Sequence, residues 1–234
     1  MKISEIQITP DDTEPWDASG RVPEKKSMSG LKLVPGSDRY AYSAKAESGY
    51  TFTGTDKNIF IYDTKTESGK IKFIGYLGLR KRSDFPSPKA FQVSNVAIDS
   101  SYRGQGIGQL LYSVPLRELG YTLIADDTQT GAAMKLWVNL SKDPNVSVNG
   151  YITYDPEEAR YPEIKAFLAR KLKATKMGTR SYISYYSFPV SENVELKRLQ
   201  AAVKKIKIYS KEHPEDQEQI VGLYARWAGQ ENAQ

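Results

Sequence analysis

The spacing of apolar and polar positions predicts a chain that is rich in strands over its first part. Residues 39–43 and 49–53 alternate between apolar and polar side chains, which is typical of strands with one buried face. An apolar run follows over residues 58–62, and a second one over residues 70–79, with a Thr-Glu-Ser-Gly turn at 66–69 between them. These two runs predict an antiparallel hairpin.

A strand, a glycine loop and a helix follow one another directly in the middle of the sequence. Residues 92–98 are short, apolar and partly β-branched, as in a strand, and residues 99–101 read as a turn. Residues 103–108 read Arg-Gly-Gln-Gly-Ile-Gly, and apolar residues then recur at helical spacing. They predict a helix over 105–119, kinked at Pro115 and ended by Gly120.

This order of elements predicts a binding site for a phosphate-bearing ligand. Glycines let the backbone approach a ligand closely, and the free N–H groups and the dipole of a helix N-terminus face an anion. The spacing Gly-x-Gly-x-Gly differs from the dinucleotide fingerprint Gly-x-Gly-x-x-Gly. No Gly-Lys-Ser/Thr is present either, which excludes a P-loop.

Strands and helices alternate in the second half of the sequence. A strand is predicted over residues 121–125 and a helix over 131–140, with Thr128 as a candidate N-cap. Asn149-Gly150, between two β-rich segments, is a strong hairpin signal. A helical segment follows from Asp155 and restarts at Pro162, and a strand is predicted over 180–188.

The last 44 residues predict two helices. The first is capped by Ser191, and the second begins at Pro214 and carries apolar residues Ile220, Leu223 and Trp227. The pattern therefore divides the chain into a β-rich N-terminal segment (1–57), a core (58–189) and a two-helix C-terminal extension (190–234).

The composition excludes or disfavours several kinds of catalytic and metal-binding site. Cysteine is absent, which excludes disulfides, a thiol nucleophile and a cysteine-based metal site. The single histidine, His213, lies beside Pro214 in a polar stretch, which disfavours a histidine triad or a zinc site. No apolar run is long enough for a signal peptide or a membrane span. We therefore expect a soluble, cytoplasmic protein (in the host cytoplasm if the source is viral), with no metal and no membrane partner.

The stretch Asn95-Val-Ala-Ile-Asp-x-x-Tyr-Arg-Gly-Gln-Gly-Ile-Gly-x-Leu-Leu111 resembles the acetyl-CoA signature of the GNAT superfamily of N-acetyltransferases. The resemblance implies an α/β fold, with a mixed, twisted central sheet flanked by helices, to which the pattern adds a helical C-terminal extension. The sequence departs from the family pattern before residue 58: members usually have one or two helices there, and no convincing amphipathic helix is found. The resemblance implies acetyl-CoA as cosubstrate, with the following cofactor-binding residues: Val96, Ala97, Ile98, Arg103, Gly104, Gln105, Gly106, Ile107, Gly108 and Gln109.

The same resemblance places two candidate catalytic residues after this loop. Trp137 stands where many members carry a tyrosine acid, but an indole N–H donates a hydrogen bond and is no usable acid. Three alternatives follow for the leaving thiolate. Water protonates it, another tyrosine (Tyr112, Tyr151 or Tyr185) reaches the sulfur, or efficient catalysis has been lost. Asp126 or its neighbour Asp127 would accept the amine proton, unless both serve to cap the following helix.

The resemblance implies an N-acetyltransferase that transfers acetyl directly to an amine: a protein lysine or N-terminus, a small amine, or an aminoacyl-tRNA. The alternative is a non-catalytic GNAT-like interaction module, which would bind an acidic partner through the basic region from Arg160 to Lys207. A formal net charge of +5 permits such a partner. Nucleic acid is not favoured, because most charge runs are solvated helix faces, and the sequence leaves a homodimer open.

Overall fold

The computed structural model describes residues 42–45, 50–54, 57–63, 72–126, 129–170, 172, 174–180, 182–190, 193–213 and 220–228. The segment before residue 58, where no amphipathic helix was found in the sequence, lies largely outside these residues. The chain divides into two compact units, which we call the loop unit (Met1–Lys81 with Val93–Leu119) and the tail unit (Arg82–Gln92 with Gly120–Gln234). The fold is mixed α/β, as predicted. The boundaries at residues 57 and 189 stay predictions.

The loop unit is built on antiparallel strands that follow the predicted order. They are β1 (Tyr42–Lys45), β2 (Tyr50–Gly54), β3 (Asn58–Asp63) and β4 (Lys72–Lys81), and each pairs with the next along the chain. The predicted hairpin of β3 and β4 is confirmed, with a register shift between Ile61 and Tyr62.

Residues 93–98 of strand β5 (Ala90–Ile98) and helix α1 (Ile107–Glu118) complete the loop unit and confirm the predicted strand, loop and helix. The second half of β5 lies directly against β4: the Asp99 N–H donates to the Ile74 carbonyl at 2.8 Å. A Cβ added at Gly75 would lie 2.6 Å from the Ala97 carbonyl oxygen, so only glycine allows the strands to approach this closely. Helix α1 continues past Pro115 and ends before Gly120, whose φ of +65° fits the predicted C-terminal glycine.

Helix α1 packs on β3 and β4 through one apolar face. Its apolar residues recur at three- and four-residue spacing, as an amphipathic helix requires. Buried side chains of this core include Ile59, Ile61, Ile74 and Leu77 of the strands and Ile107, Leu111 and Val114 of the helix. The glycine loop is therefore attached at both ends to elements with buried faces.

The tail unit carries a mixed sheet. Its strands are β6 (Thr122–Ile124), β7 (Val146–Ile152), β8 (Thr175–Arg180), β9 (Ile183–Pro189) and β10 (Val221–Trp227). They lie in the order β6-β10-β7-β9-β8, and each pair is antiparallel. Residues Ala90, Phe91 and Gln92 of β5 pair with β6 in parallel, which makes the sheet mixed.

Three helices accompany this sheet: α2 (Gly131–Leu140), α3 (Pro162–Ala169) and α4 (Asn193–Glu212). Helix α2 packs on β7, and α4 packs on α2, α3 and β10. The predicted bounds of α2 are confirmed, and α3 begins at Pro162, where a restart was predicted. Among the residues that the structure describes, no helix is long and apolar enough to cross a membrane.

The predicted hairpin at Asn149-Gly150 is wrong, because β7 runs straight through both residues. Gly150 is not among the glycines with positive φ, which a tight Asn-Gly turn would require. A Cβ at this position would overlap the Phe188 ring and lie 2.9 Å from Leu199 Cδ2. The glycine is therefore explained by close packing under a buried ring, which the local sequence does not reveal.

The predicted second C-terminal helix is also wrong where the structure describes it. Residues Val221–Trp227 form strand β10, which lies between β6 and β7. Leu223 and Trp227 fit a helical spacing, but Val221, Leu223 and Ala225 also alternate as in a strand, and all three are buried. Pairing with two neighbouring strands decided between the patterns. The predicted start at Pro214 lies outside the described residues.

The strand predicted over 180–188 is confirmed as β9, but it begins three residues later than predicted and forms a hairpin with β8. β8 ends at Arg180 and β9 begins at Ile183, with Tyr182 between them at a φ of +67°. The apolar stretch predicted one strand, because the turn contains no glycine or proline to mark it.

Candidate functional site

The glycine loop is held at its start by Asp99, directly after β5. The Asp99 carboxylate accepts hydrogen bonds from the Ser101 N–H (2.9 Å) and the Ser101 hydroxyl (2.6 Å), and it pairs with the Lys72 ammonium at 3.3 Å. Burial pushes the pKa of Asp99 upward, but the bonds from Ser101 and the charge of Lys72 outweigh it and lower that pKa. Asp99 is therefore an ionised anchor that caps the short 3-10 turn Ser100–Tyr102.

Tyr102 fastens the loop to β3. Its hydroxyl donates to Asp63 Oδ2 at 2.8 Å, and the Lys72 ammonium lies 4.7 Å from the centre of its ring. Burial and the nearby Asp63 carboxylate raise the pKa of Tyr102 to about 12. The tyrosine is therefore neutral and donates its proton to the carboxylate over the whole physiological range.

In the loop from Arg103 to Gly106, the two long side chains bond to backbone carbonyls that precede the loop. Arg103 Nε donates to the Ile98 carbonyl at 3.3 Å, and Gln105 Nε2 donates to the Ser101 carbonyl at 3.1 Å. Gly104 and Gly106 both have a φ of +81°, a conformation that glycine adopts at little cost. The backbone, with its side chains folded away, is thus the surface that the loop offers.

Helix α1 begins at this loop without a side-chain cap. Gly106 is its N-cap residue, and its carbonyl accepts from the N–H groups of Gln109 (3.0 Å) and Leu110 (3.2 Å). The earlier N–H groups of a helix have no carbonyl within the helix to bond. Gly106 is exposed, and a Cβ added to it would meet nothing within 4 Å, so open space lies next to this N-cap residue. This combination fits the phosphate groups of a cofactor.

The second half of β5 supplies the strand that leads into the loop. Ser94 and Asn95 are exposed, Val96 and Ala97 are half-buried, and Ile98 is buried. The first three residues of β5, by contrast, pair with β6: Ala90, Phe91 and Gln92. Every predicted cofactor-binding residue, from Val96 to Gln109, therefore lies in the loop unit, on one continuous strand, loop and helix start.

The two candidate catalytic residues lie in the tail unit instead. Asp126 follows β6, and its Oδ1 accepts a hydrogen bond from Gln92 Nε2 at 3.3 Å. Thr130 is the N-cap of α2, because its hydroxyl accepts from the Ala133 N–H at 3.2 Å. Neither Asp126 nor the predicted Thr128 therefore supplies this cap. Asp127 and Thr128 lie outside the described residues.

Trp137 lies in the interior of the tail unit with 1% of its surface exposed. The tyrosines named as alternative acids are also buried: Tyr112 in the loop unit, and Tyr151 and Tyr185 in the tail unit. Burial and the Asp84 carboxylate raise the pKa of Tyr185, and its hydroxyl donates to Asp84 Oδ2 at 3.4 Å. The role of Trp137 in a reaction stays a prediction.

Sequence reasoning missed an ion pair in the tail unit, between Arg82 and Asp84. Arg82 Nε and Nη2 donate to the two carboxylate oxygens of Asp84 at 2.8 and 2.6 Å. Arg82 Nη1 also donates to Gln92 Oε1 at 3.2 Å. The arginine hydrogen bond lowers the pKa of Asp84 and the pair raises that of Arg82. Nothing in the sequence marked Arg82, because its partner Gln92 lies ten residues further along the chain.

Substituting Asp84 with asparagine is expected to destabilise the protein by about 1 kcal/mol near neutral pH, since it leaves a mostly buried guanidinium without its carboxylate. A carboxyl group with a lowered folded pKa stabilises the fold above its unfolded pKa of about 3.9. That contribution is lost as the pH falls through the lower folded pKa. The difference in unfolding free energy between wild type and variant should therefore be constant from about pH 5 to 7 and shrink below about pH 4.

Urea denaturation at each pH measures this, with Glu118→Gln as the matched control. Arg117 and Glu118 are also 2.6 Å apart, and Glu118 is as exposed as Asp84 (40% and 41%). The arginines differ, since 12% of the Arg82 side chain is exposed against 52% for Arg117. An equal effect of the two substitutions would contradict the role given to the buried guanidinium.

Residues 35–119 match the model of the acetyltransferase (GNAT) family. The match includes β1 to β5, the glycine loop and α1, and it ends before Asp126 and Trp137. No curated protein and no solved structure matches the sequence. Among the described residues, no group of three or more acidic, histidine or cysteine side chains is arranged to hold a metal ion.

Proposed function

We propose that the chain is an acetyl-CoA-dependent N-acetyltransferase, in keeping with the match of residues 35–119 to the acetyltransferase (GNAT) family model. The observation that carries this proposal is the Arg103–Gly108 loop between β5 and α1. It combines two glycines at a φ of +81°, an uncapped helix N-terminus and open space beside Gly106. Each of these features suits a bound diphosphate.

The loop and β5 would hold the cofactor through their backbones. The N–H groups from Arg103 to Gly108 would bind the pyrophosphate, with Gln109 beside them in the first turn of α1. Val96, Ala97 and Ile98 would bind the pantetheine arm as an added strand is bound, by main-chain hydrogen bonds.

The bound cofactor supplies an acetyl thioester, whose carbonyl carbon is open to attack by an amine. We assign to Asp126 the acceptance of the amine proton as the nitrogen–carbon bond forms and the carbon–sulfur bond breaks. The backbone N–H of Val96 would donate to the carbonyl oxygen as it becomes negative. The leaving thiolate would take its proton from water, because the buried Trp137 can donate a hydrogen bond but cannot act as an acid.

The acceptor in this proposal is an amine: a protein lysine or N-terminus, a small amine, or the amino group of an aminoacyl-tRNA. Such an amine must be neutral to attack, and a lysine has a pKa of about 10.4. The need for a base is therefore greatest for lysine, so lysine should depend most on Asp126. The proposal favours an enzyme over an interaction module, because a module would not need the intact phosphate loop.

Calorimetric titration with acetyl-CoA, CoA and pantetheine tests the proposal first. We expect micromolar binding of both CoA forms and much weaker binding of pantetheine, which lacks the phosphates that the loop would hold. CoA release is then followed with lysine peptides, small amines and charged tRNA as acceptors. A folded protein that gives no heat with either CoA form would end the enzyme proposal. Binding without release, for every acceptor in the panel, would point to a module.

A further inference from the structure

A chain of three polar side chains runs through the tail unit and ends at Asp126. Arg82 Nη1 donates to Gln92 Oε1 at 3.2 Å, and Gln92 Nε2 donates to Asp126 Oδ1 at 3.3 Å. Gln92 is only 1% exposed. A buried amide is costly unless its oxygen and its nitrogen are both hydrogen-bonded. Gln92 meets this condition by bridging a cation and a carboxylate.

The direction of the Gln92 amide follows from the chemistry of its neighbours. A guanidinium can only donate hydrogen bonds, so the amide oxygen must face Arg82. The amide NH₂ group is then left for Asp126, which accepts through its carboxylate. Arg82 is in turn held by its paired bonds to Asp84 at 2.8 and 2.6 Å. The orientation is thus set from Asp84 through to Asp126.

We propose that Gln92, oriented by Arg82, is the positioning residue for the Asp126 carboxylate in the acetyl transfer reaction. The N–H of Gln92 fixes Oδ1 and favours the ionised form of Asp126, which is the form that can accept a proton. This inference rests on the proposed function, in which Asp126 is the base. An apolar side chain would fill the same place in the core, but it would remove this hydrogen bond to Asp126.

Two substitutions of Gln92 test this role in the CoA-release assay, using either the best amine acceptor or water. Gln92→Met keeps the length of the side chain but donates no hydrogen bond. We expect it to lower kcat at least tenfold, while the KM for acetyl-CoA changes less than twofold. Gln92→Glu places a second carboxylate beside Asp126, which disfavours the ionised form. The acid limb of its pH–rate profile should move up by at least half a pH unit.

Conservative replacement of Arg82 gives a rescue test. Arg82→Lys keeps a donor for the Gln92 oxygen, whereas Arg82→Met removes it, so the lysine variant should retain more kcat. Thr122→Val is the matched control for a buried hydrogen bond: Thr122 is 3% exposed, and its hydroxyl bonds that of Ser87 at 2.9 Å. Thr122→Val should leave kcat and the pH profile unchanged. The same result for Gln92→Met would overturn the inference.

A double-mutant cycle tests the contact without any acceptor. Gln92→Met and Asp126→Asn are combined, and the urea midpoints of the two single variants and the double variant are compared. We expect the double variant to lose clearly less than the sum of the two single losses, and additive losses would overturn the inference. If wild type neither binds CoA nor releases it, the proposed function fails. If wild type is active and Gln92→Met is equally active, only the positioning role fails.

Discussion

Replacing Gly106 with alanine is expected to weaken the binding of CoA by about tenfold or more, with a smaller effect on the stability of the fold. Gly106 has a φ of +81°, and an alanine held there costs about 1–2 kcal/mol. The loop would relieve this strain by rotating its peptides, which would turn the N–H groups away from the phosphates. The new methyl group would also occupy the open space at the start of α1. A loss of 1.4 kcal/mol corresponds to a tenfold weaker affinity.

Gly120→Ala is the control for this substitution, because Gly120 follows the other end of α1 with a φ of +65°. Alanine should meet a similar backbone strain there without touching the proposed phosphate loop. Calorimetry measures the affinity for CoA of both variants, and urea denaturation measures their stability. Equal losses of affinity would mean that strain in α1, and not the loop, controls binding. An unchanged affinity in Gly106→Ala would remove the loop from the proposed site.

Replacing Gly150 with alanine is expected to destabilise the protein by at least about 3 kcal/mol, or roughly 6–12 °C in Tm. The new Cβ would overlap the Phe188 ring and lie 2.9 Å from Leu199 Cδ2. Both neighbours are fully buried, so neither side chain can move into solvent to relieve the overlap. Strand β7 pairs with β10 on one side and β9 on the other, and its backbone therefore cannot shift easily either. Thermal unfolding followed by circular dichroism measures the effect.

Asn149→Ala separates this explanation from the Asn-Gly turn that the sequence predicted. Asn149 bonds the Ser147 hydroxyl at 2.9 Å within the strand, and losing that bond should cost about 1 kcal/mol or less. A turn would make Asn149 as sensitive as Gly150. Phe188→Leu in the Gly150→Ala background should restore part of the lost stability, because the smaller side chain makes room for the methyl group. Strictly additive losses in the double variant would contradict the steric explanation.

The centre of the candidate site was predictable because its causes are local. The strand residues 92–98, the glycines of the loop and the apolar spacing of α1 lie within one short stretch, and each specifies its own conformation. Gly104 and Gly106 indeed adopt the left-handed φ that favours glycine. Asp99 accepts a hydrogen bond from the Ser101 N–H, and Tyr102 donates one to Asp63 of β3; the sequence did not reveal this support for the loop.

The same reasoning failed where a residue serves a distant neighbour. Asn149-Gly150 has the composition of a turn, but the packing of Phe188, thirty-eight residues later, explains its glycine. The polar chain from Arg82 through Gln92 to Asp126 joins positions from three parts of the sequence. No local pattern can indicate such a bridge, because its meaning depends on burial and on which partners the fold brings near.

Local sequence patterns were enough to predict the mixed α/β class, the antiparallel hairpin of β3 and β4, and the strand, glycine loop and helix that make the proposed phosphate site. Periodicity and glycine chemistry are enough for these, since they depend on neighbours within a few residues. The strand at residues 221–227, between β6 and β7, depends on tertiary pairing, because part of its sequence pattern also suits a helix. A strand gains its hydrogen bonds from partners far along the chain, and that pairing outweighs local preference.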